Sequence, residues 1–332
     1  MATVKISRRE GLKLLAAAGF GSAAASFGAV RFAYSADGQV LVVGLDISDT
    51  NSFDPGRQFV YSAPITMHAT YDTLVTMAAG DYETVRPSLA TSWEVENGGK
   101  SLLFHLRDGV KFSSGNPLTA EDVKFSFERL INLKDNPAEL ASNIESVEVV
   151  DPLTVRVVTK DPLQPLITLL VGPTFAISDS KVVQEQGGTS AADADTTDKA
   201  TSWLDSNSAG SGPYVLTRWE PNAQIVLEKN PTYWGKPAGF ERIVLQHIPE
   251  SATQLITIER GDIQAALNLT SPQLDGLKGN ADISIVEGTS LDYVYMTLTS
   301  SAELNPALAK KEARQAIAYA INYDELIKGL VG

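Results

Sequence analysis

Cysteine is absent from the 332-residue chain. That removes disulfides, thiolate metal sites, iron–sulfur clusters, cysteine nucleophiles and a lipid anchor attached through cysteine. Histidine is scarce. His68, His105 and His247 stand far apart without metal-ligand spacing, so no metal site is expected, and His105, within a strand pattern, reads as structural. Positive charge is short too: 27 Lys and Arg stand against 40 Asp and Glu, a net charge of -13. The imbalance is uneven. Residues 1–36 carry Lys5, Arg8, Arg9, Lys13 and Arg31 against Glu10 alone, which leaves 22 basic and 39 acidic residues in the remainder. So acidic a surface repels phosphate backbones and excludes a nucleic-acid partner.

Motifs of catalysis are missing as well. Gly19-Phe20-Gly21-Ser22-Ala23-Ala24 imitates a dinucleotide fingerprint but has no strand before it. Gly98-Gly99-Lys100-Ser101 resembles the end of a phosphate loop, yet Glu94 occupies the first glycine position. Asp193-Ala194-Asp195 begins like a calcium loop, but Asp198 replaces the glycine and Leu204 the bidentate carboxylate. That stretch is expected to be solvated loop. There is no Gly-x-Ser-x-Gly elbow, and the pair Glu121-Asp122 is better explained by helix capping. No catalytic residue, cofactor or metal is assigned.

What is present starts with an address. Ser7-Arg8-Arg9-Glu10-Gly11-Leu12-Lys13 precedes an uncharged, Ala-rich stretch from Leu14 to Val30, with small residues at Ala33, Ser35 and Ala36 for cleavage. This reads as a secretory leader over 1–36, and the paired Arg8 and Arg9 suggest the twin-arginine route. The stretch is shorter than a membrane span, no later apolar run approaches one, and a soluble exported protein is expected.

Beyond the leader, Val40–Leu45 reads as an early buried strand, and a helical pattern carries Ile65, Met67, Tyr71 and Leu74. Trp93–Val95 and Leu102–Leu106 flank Asn97-Gly98-Gly99 as a hairpin, and Asp108-Gly109 turns the chain again. Thr119 to Asn132 predicts a helix capped by Thr119 and Asp122, with Val123, Phe127, Leu130 and Ile131 on one face. Thr154–Val158 alternates as a strand. Residues 187–211, rich in small and polar residues, predict a surface excursion with a short helix at Trp203. Further strands are expected at Gln224–Lys229, Ile243–Ile248, Ile283–Val286 and Val294–Leu298. Helices are expected from Ser251 to Arg260, closed by Gly261, and from about Pro306 to Ile321. Strands and helices in runs predict a mixed α/β (α+β) chain of more than one lobe.

Three stretches carry a family resemblance. They are Leu89-Ala90-Thr91-Ser92-Trp93-Glu94-Val95 through Phe112 to Gly115-Asn116-Pro117-Leu118-Thr119-Ala120-Glu121-Asp122-Val123; Gly210-Ser211-Gly212-Pro213-Tyr214 followed by Trp219, Glu228-Lys229-Asn230-Pro231 and Tyr233-Trp234; and Arg314-Gln315-Ala316-Ile317-Ala318-Tyr319-Ala320-Ile321-Asn322. Together they resemble the dipeptide/oligopeptide-binding (family 5) extracytoplasmic solute-binding proteins of ABC importers. Read locally, most of these residues are turns, strands and caps that hold a fold.

The resemblance implies a periplasmic-binding-protein-like, two-lobed clamp with an extra inserted domain. Domain I would use 37–78 plus 196–292, domain II would be the insertion 79–195, and domain III would begin at 293 and stop incomplete at 332. It implies capture of peptides or a similar small solute for importer permease subunits, as an extracytoplasmic monomer that meets the twin-arginine translocase during export. Relatives of this kind also bind opines, glutathione, haem, metal chelates and oligosaccharides. By the same resemblance the segment after Phe53-Asp54-Pro55 nominates Phe59 and Tyr61 as ligand-binding. The strand after Gly261-Asp262-Ile263 nominates Leu267 and Asn268, and a crossing strand nominates Tyr295 and Thr297. Ordinary core or strand surface is the competing reading of the aromatics. An exported enzyme, or a shortened chain unable to close, are the other classes.

Overall fold

The apolar run at Val40–Leu45 becomes β1, an interior strand of the larger of two main sheets. The structure, a computed structural model, describes residues 39–162, 166–288 and 295–327, so the leader with Arg8 and Arg9 lies outside the described residues. After β1 come α1 (Ala63–Thr70), the short strands β2 (Val75–Thr76) and β3 (Arg86–Pro87), and the hairpin β4 (Ala90–Glu96) and β5 (Ser101–Leu106). Then follow α2 (Ala120–Leu133), β6 (Ile144–Asp151), β7 (Thr154–Thr159), α3 (Leu166–Leu169), α4 (Ser180–Glu185), α5 (Ala194–Thr197) and α6 (Thr201–Leu204). The chain continues through β8 (Tyr214–Glu220), β9 (Gln224–Lys229), β10 (Arg242–His247), α7 (Ser251–Glu259), β11 (Ala265–Ala266) and α8 (Ser271–Leu277). It ends in α9 (Lys311–Ala320) and α10 (Tyr323–Leu326).

Two sheets organise these elements. The first has the order β11-β1-β10-β9-β8, with β1 parallel to both β10 and β11 and the rest antiparallel. The second is antiparallel, β4-β5-β7-β6. Its inner face, Leu102, Phe104, Val155 and Val157, packs in one core with Val123, Phe127 and Leu130 of α2. That helix starts where the sequence predicts. The Thr119 N–H and hydroxyl both donate to Asp122 Oδ2, at 2.8 and 2.9 Å. Asp122 Oδ1 accepts from the Ser180 N–H and hydroxyl, so one carboxylate caps α2 and docks α4. Capping therefore accounts for this carboxylate, as expected from Glu121-Asp122.

Five expectations need correction. The helical pattern ending at Leu74 stops at Thr70, because Tyr71 turns extended (φ -126°, ψ 160°) where Gly210 and Gly212 press against it. The 187–211 excursion is not a solvated loop throughout. Ala194, Ala200 and Leu204 are buried, and the Asp198 side chain is fully enclosed beside Arg129. Ile283–Val286 forms no strand, and the described part of 294–298, residues 295–298, is irregular and largely exposed, Val294 lying outside the described residues. No strand among the described residues pairs with either, and an unpartnered apolar run cannot satisfy a ladder. The last long helix begins at Lys311 rather than Pro306.

The Gly210–Tyr214 turn is a crossing point of main chains. The Gly212 N–H donates to Thr70 O at 3.1 Å, and a Cβ on Gly212 would lie 2.5 Å from the Thr70 carbonyl carbon. Backbone cannot yield as a side chain can. Gly212→Ala should cost roughly 1–3 kcal/mol in urea unfolding.

Beside this turn the Asp72 carboxylate accepts from the Ser211 hydroxyl and from Trp234 Nε1, each at 2.8 Å, and Arg107 lies 4.8 Å over the Trp234 ring. Burial raises the Asp72 pKa, and the hydrogen bonds from Trp234, Ser211 and Tyr233 only partly offset it. A carboxyl raised on folding stabilises below its unfolded pKa and loses that contribution as pH rises through the folded value. Asp72→Asn keeps an acceptor and removes the titration. Urea midpoints of this variant relative to wild type should therefore shift in its favour as pH rises from about 4 toward neutrality.

Candidate functional site

Parallel strands share a direction, so their carboxyl ends gather loops at one edge, the usual place for a ligand in open α/β sheets. Leu45 of β1 pairs with His247 of β10, and Gly44 with Ala266 of β11. Asp46, Ile248 and Leu267 are therefore the first residues past that edge. Phe59 and Tyr61 stand on the loop that follows β1, and Leu267 and Asn268 follow β11.

A polar network fixes this edge. The Asp46 N–H donates to Asn268 Oδ1 at 2.9 Å. Gln254 of α7, fully buried, donates through Nε2 to Ile248 O at 2.6 Å and to Asn268 Oδ1 at 3.2 Å, and its Oε1 accepts the Asn268 N–H at 3.0 Å. One glutamine thus ties the loops after β10 and β11 together. On the other side Asp49 accepts the Tyr61 N–H at 3.0 Å, the Ser62 N–H at 3.2 Å and the Ser62 hydroxyl. Thr50 Oγ1 meets Ser62 Oγ at 2.6 Å. Held this way, Phe59 and Tyr61 still expose 58% and 76% of their surface. Both aromatics are surface here, not core.

Asp46 keeps an ionised carboxylate. The Ser48 N–H bond lowers its pKa first, the Ser48 side chain adds to this, burial opposes only weakly and His247 lowers it further. Nδ1 of His247 accepts the Ile47 N–H at 3.3 Å and lies 3.6 Å from Asp46 Oδ1.

The nominated residues divide. Phe59 and Tyr61, with Leu267 and Asn268, come to the same sheet edge. Tyr295 and Thr297 are exposed on irregular chain, not on the crossing strand expected for them. Leu267 also lines an apolar cavity of about 780 Å³ beyond β11, together with Ile263, Leu269, Leu274 and Ile285. Sequence reasoning missed Asp46, Asp49 and Gln254. For Asp46 a signal existed, a charged residue directly after an apolar strand. Gln254 had none, being one polar residue among several in α7. Among the described residues no three His, Asp or Glu side chains gather to hold a metal ion, and no helix is long and apolar enough to cross a membrane.

A mixed sheet with loops collected at the carboxyl ends of its parallel strands, and a second sheet built from the intervening chain, defines the class: a periplasmic-binding-protein fold. The family model for bacterial extracellular solute-binding proteins, family 5 Middle, matches residues 84–332, and the chain belongs to that family. It is 32% identical over 296 residues to the probable D,D-dipeptide-binding periplasmic protein DdpA of Escherichia coli K12, covering 88% of this chain and 55% of that protein. It is 28% identical over 251 residues to the glutathione-binding protein GsiB of Salmonella typhimurium, covering 74% and 45%. Among solved structures, the periplasmic binding protein DppA of Helicobacter pylori in complex with the peptide STSA superposes with a TM-score of 0.62 at 26% identity, covering 72% of this chain and 48% of that one. The chain thus spans about half the length of the relatives it matches.

Proposed function

We propose that the protein is the substrate-binding component of an ABC importer, which captures a peptide or similar small solute outside the cytoplasm and hands it to the permease subunits. The observation that carries this reading is the β1 edge, where Gln254 and Asn268 tie the strand-end loops together and Asp49 holds the loop on which Phe59 and Tyr61 stand exposed. Rigid exposed aromatics supply contact area at little entropic cost. A scaffold that keeps them out of its own core suits a binder. Phe59, Tyr61, Leu267 and Asn268 would meet the ligand, joined by Tyr295 and Thr297 on lobe closure.

Domain I from 37–78 plus 196–292, the insertion 79–195 and domain III from 293 remain the working division. The separate sheets of 90–159 and of β1 with 214–266 support it. Export by the twin-arginine route, action as a monomer and a role without catalysis complete the reading. The relative named for D,D-dipeptide binding favours peptides, and the relative named for glutathione, a γ-linked tripeptide, keeps that kind of solute as the alternative.

The test is a thermal melt of the protein with pools of peptides, opines and sugars. A ligand at a hundredfold its Kd should add about 2.7 kcal/mol. A cooperative transition raised by one pool supports capture. Turnover of a chromogenic substrate panel, or a melt that no pool moves, counts against it.

A further inference from the structure

The loop that bears Phe59 and Tyr61 is seated on the helix of the second sheet. Between the buried Phe53 and the exposed Phe59, residues 54–57 lie against the end of α2. The Arg129 guanidinium donates to both Asp54 carboxylate oxygens, at 2.6 and 2.7 Å. Asp54 then shapes the turn: its carboxylate accepts the Gly56 N–H at 3.0 Å, and its carbonyl accepts the Arg57 and Gln58 N–H groups at 3.0 and 2.8 Å. A Cβ added to Gly56 would stand 2.6 Å from Cδ1 of Leu133, the buried last residue of α2. Just past the helix, Asp135 accepts from Arg57 Nη1 at 3.0 Å.

The helix therefore has two tasks. Val123, Phe127 and Leu130 join it to the second sheet, while Arg129 and Leu133 meet the loop. Beyond the seat, Gln58 is buried and its Nε2 donates to Val60 O at 2.9 Å, so a shift at Gly56 or Arg57 is handed on to Phe59 and Tyr61 through a short, internally bonded stretch. Asp49 fixes the far end of that stretch through the Tyr61 and Ser62 N–H groups. Contact groups held in place before a ligand arrives lose less free energy to ordering, and a site left about an ångström loose forfeits affinity.

We propose that the segment 79–195, which carries the second sheet, is part of the capture machinery, with Leu133 and Asp135 as positioning residues that set where Phe59 and Tyr61 stand without touching the solute themselves. This rests on the binding reading above and gives the insertion a role in it.

The experiment measures Kd of the 332-residue protein by calorimetry for alanyl-alanine, trialanine and glutathione, with thermal melts alongside. Gly56 has no positive φ, so Gly56→Ala tests the contact with Leu133 and not backbone strain. It should weaken the probes that wild type binds by about fivefold or more, ~1 kcal/mol, while a cooperative melt remains. Adding Leu133→Val, which removes the opposing Cδ1, should return most of that affinity. Asp135→Asn leaves an acceptor for the Asn136 N–H but no carboxylate for Arg57, and should weaken binding about twofold. Val123→Ala, on the sheet-facing side of α2, should lower the melting temperature and leave Kd unchanged. An unchanged Kd in Gly56→Ala, or a loss that Leu133→Val does not reverse, overturns the proposal and leaves the binding reading standing. Should Gly56→Ala fail to fold, Asp135→Asn decides in its place, and an unchanged Kd there overturns the proposal. If no probe binds wild type, the binding reading falls and takes the proposal with it.

Discussion

Arg129→Ala should lower the unfolding free energy by about 3–5 kcal/mol, the usual result of removing one partner from a buried ion cluster. The guanidinium donates to Asp54 through Nη1 and Nη2 at 2.6 and 2.7 Å, and to Asp198 through Nε and Nη2 at 2.8 and 3.0 Å. The side chains of both carboxylates have no exposed surface. Deleting the arginine would therefore strand two buried negative charges. Lysine could not replace it, since a single ammonium cannot present two flat forks. Arg129→Met combined with Asp54→Asn and Asp198→Asn removes the charges and keeps an acceptor for the Gly56 N–H and for one of the Thr189 and Ala200 N–H groups, which bond different oxygens of Asp198. The triple variant should be less damaged than Arg129→Ala alone. Urea unfolding of the three proteins checks this, and a loss below about 1 kcal/mol for Arg129→Ala would contradict the buried cluster. Acid should reveal the same cluster. Burial opposes the Asp198 carboxylate, but Arg129 outweighs it and its pKa is lowered. Its contribution is complete at neutral pH and fades as pH falls below the ordinary carboxylate range.

Phe53→Ala should cost a similar amount, about 3–5 kcal/mol, whereas Phe59→Ala six residues on should stay within about 0.5 kcal/mol. Phe53 has no exposed surface and meets Trp219 edge-on, with ring centroids 5.3 Å apart and planes at 88°. Phe59 is mostly in solvent. The two phenylalanines thus separate structure from function on one loop. Phe53 fixes where the loop leaves the core, and Phe59 is available to a ligand. Loss of binding without loss of stability in Phe59→Ala, read by calorimetry beside urea unfolding, is the expected pattern. Equal destabilisation by both substitutions would mean that Phe59 packs, and would remove it from the site.

Local chemistry made much of the fold legible. Thr119 and Asp122 announce their capping box, Asn97-Gly98-Gly99 its hairpin, and the apolar runs at 40–45 and 224–229 form strands with those limits. Legibility failed where the outcome depends on distant chain. Tyr71 continues a helical pattern but is turned aside by glycines some 140 residues later. Asp198 reads as a loop residue until Arg129 encloses it. β6, Ile144–Asp151, was not singled out, although it alternates, because its identity as an edge strand depends on β7. At the candidate site the aromatics and Asn268 came from resemblance. Asp46 and Gln254 came only from geometry, for no spacing in the sequence links positions 222 residues apart.

The interior place of β1, paired on both sides, has a kinetic consequence. Its backbone partners, β10 and β11, follow roughly 200 residues later in the chain, as the Ile47–His247 contact measures. Leaving the ribosome ahead of the other strands of its sheet, this apolar strand has two open edges and no partner strand until some 200 further residues have been made. Contacts that close such long loops form slowly. The 90–159 sheet, by contrast, is assembled from neighbours and can condense while β1 waits. The order of synthesis and the order of assembly are therefore inverted. The interval between them is when the first strand is most exposed to pairing with another chain, and most in need of a chaperone.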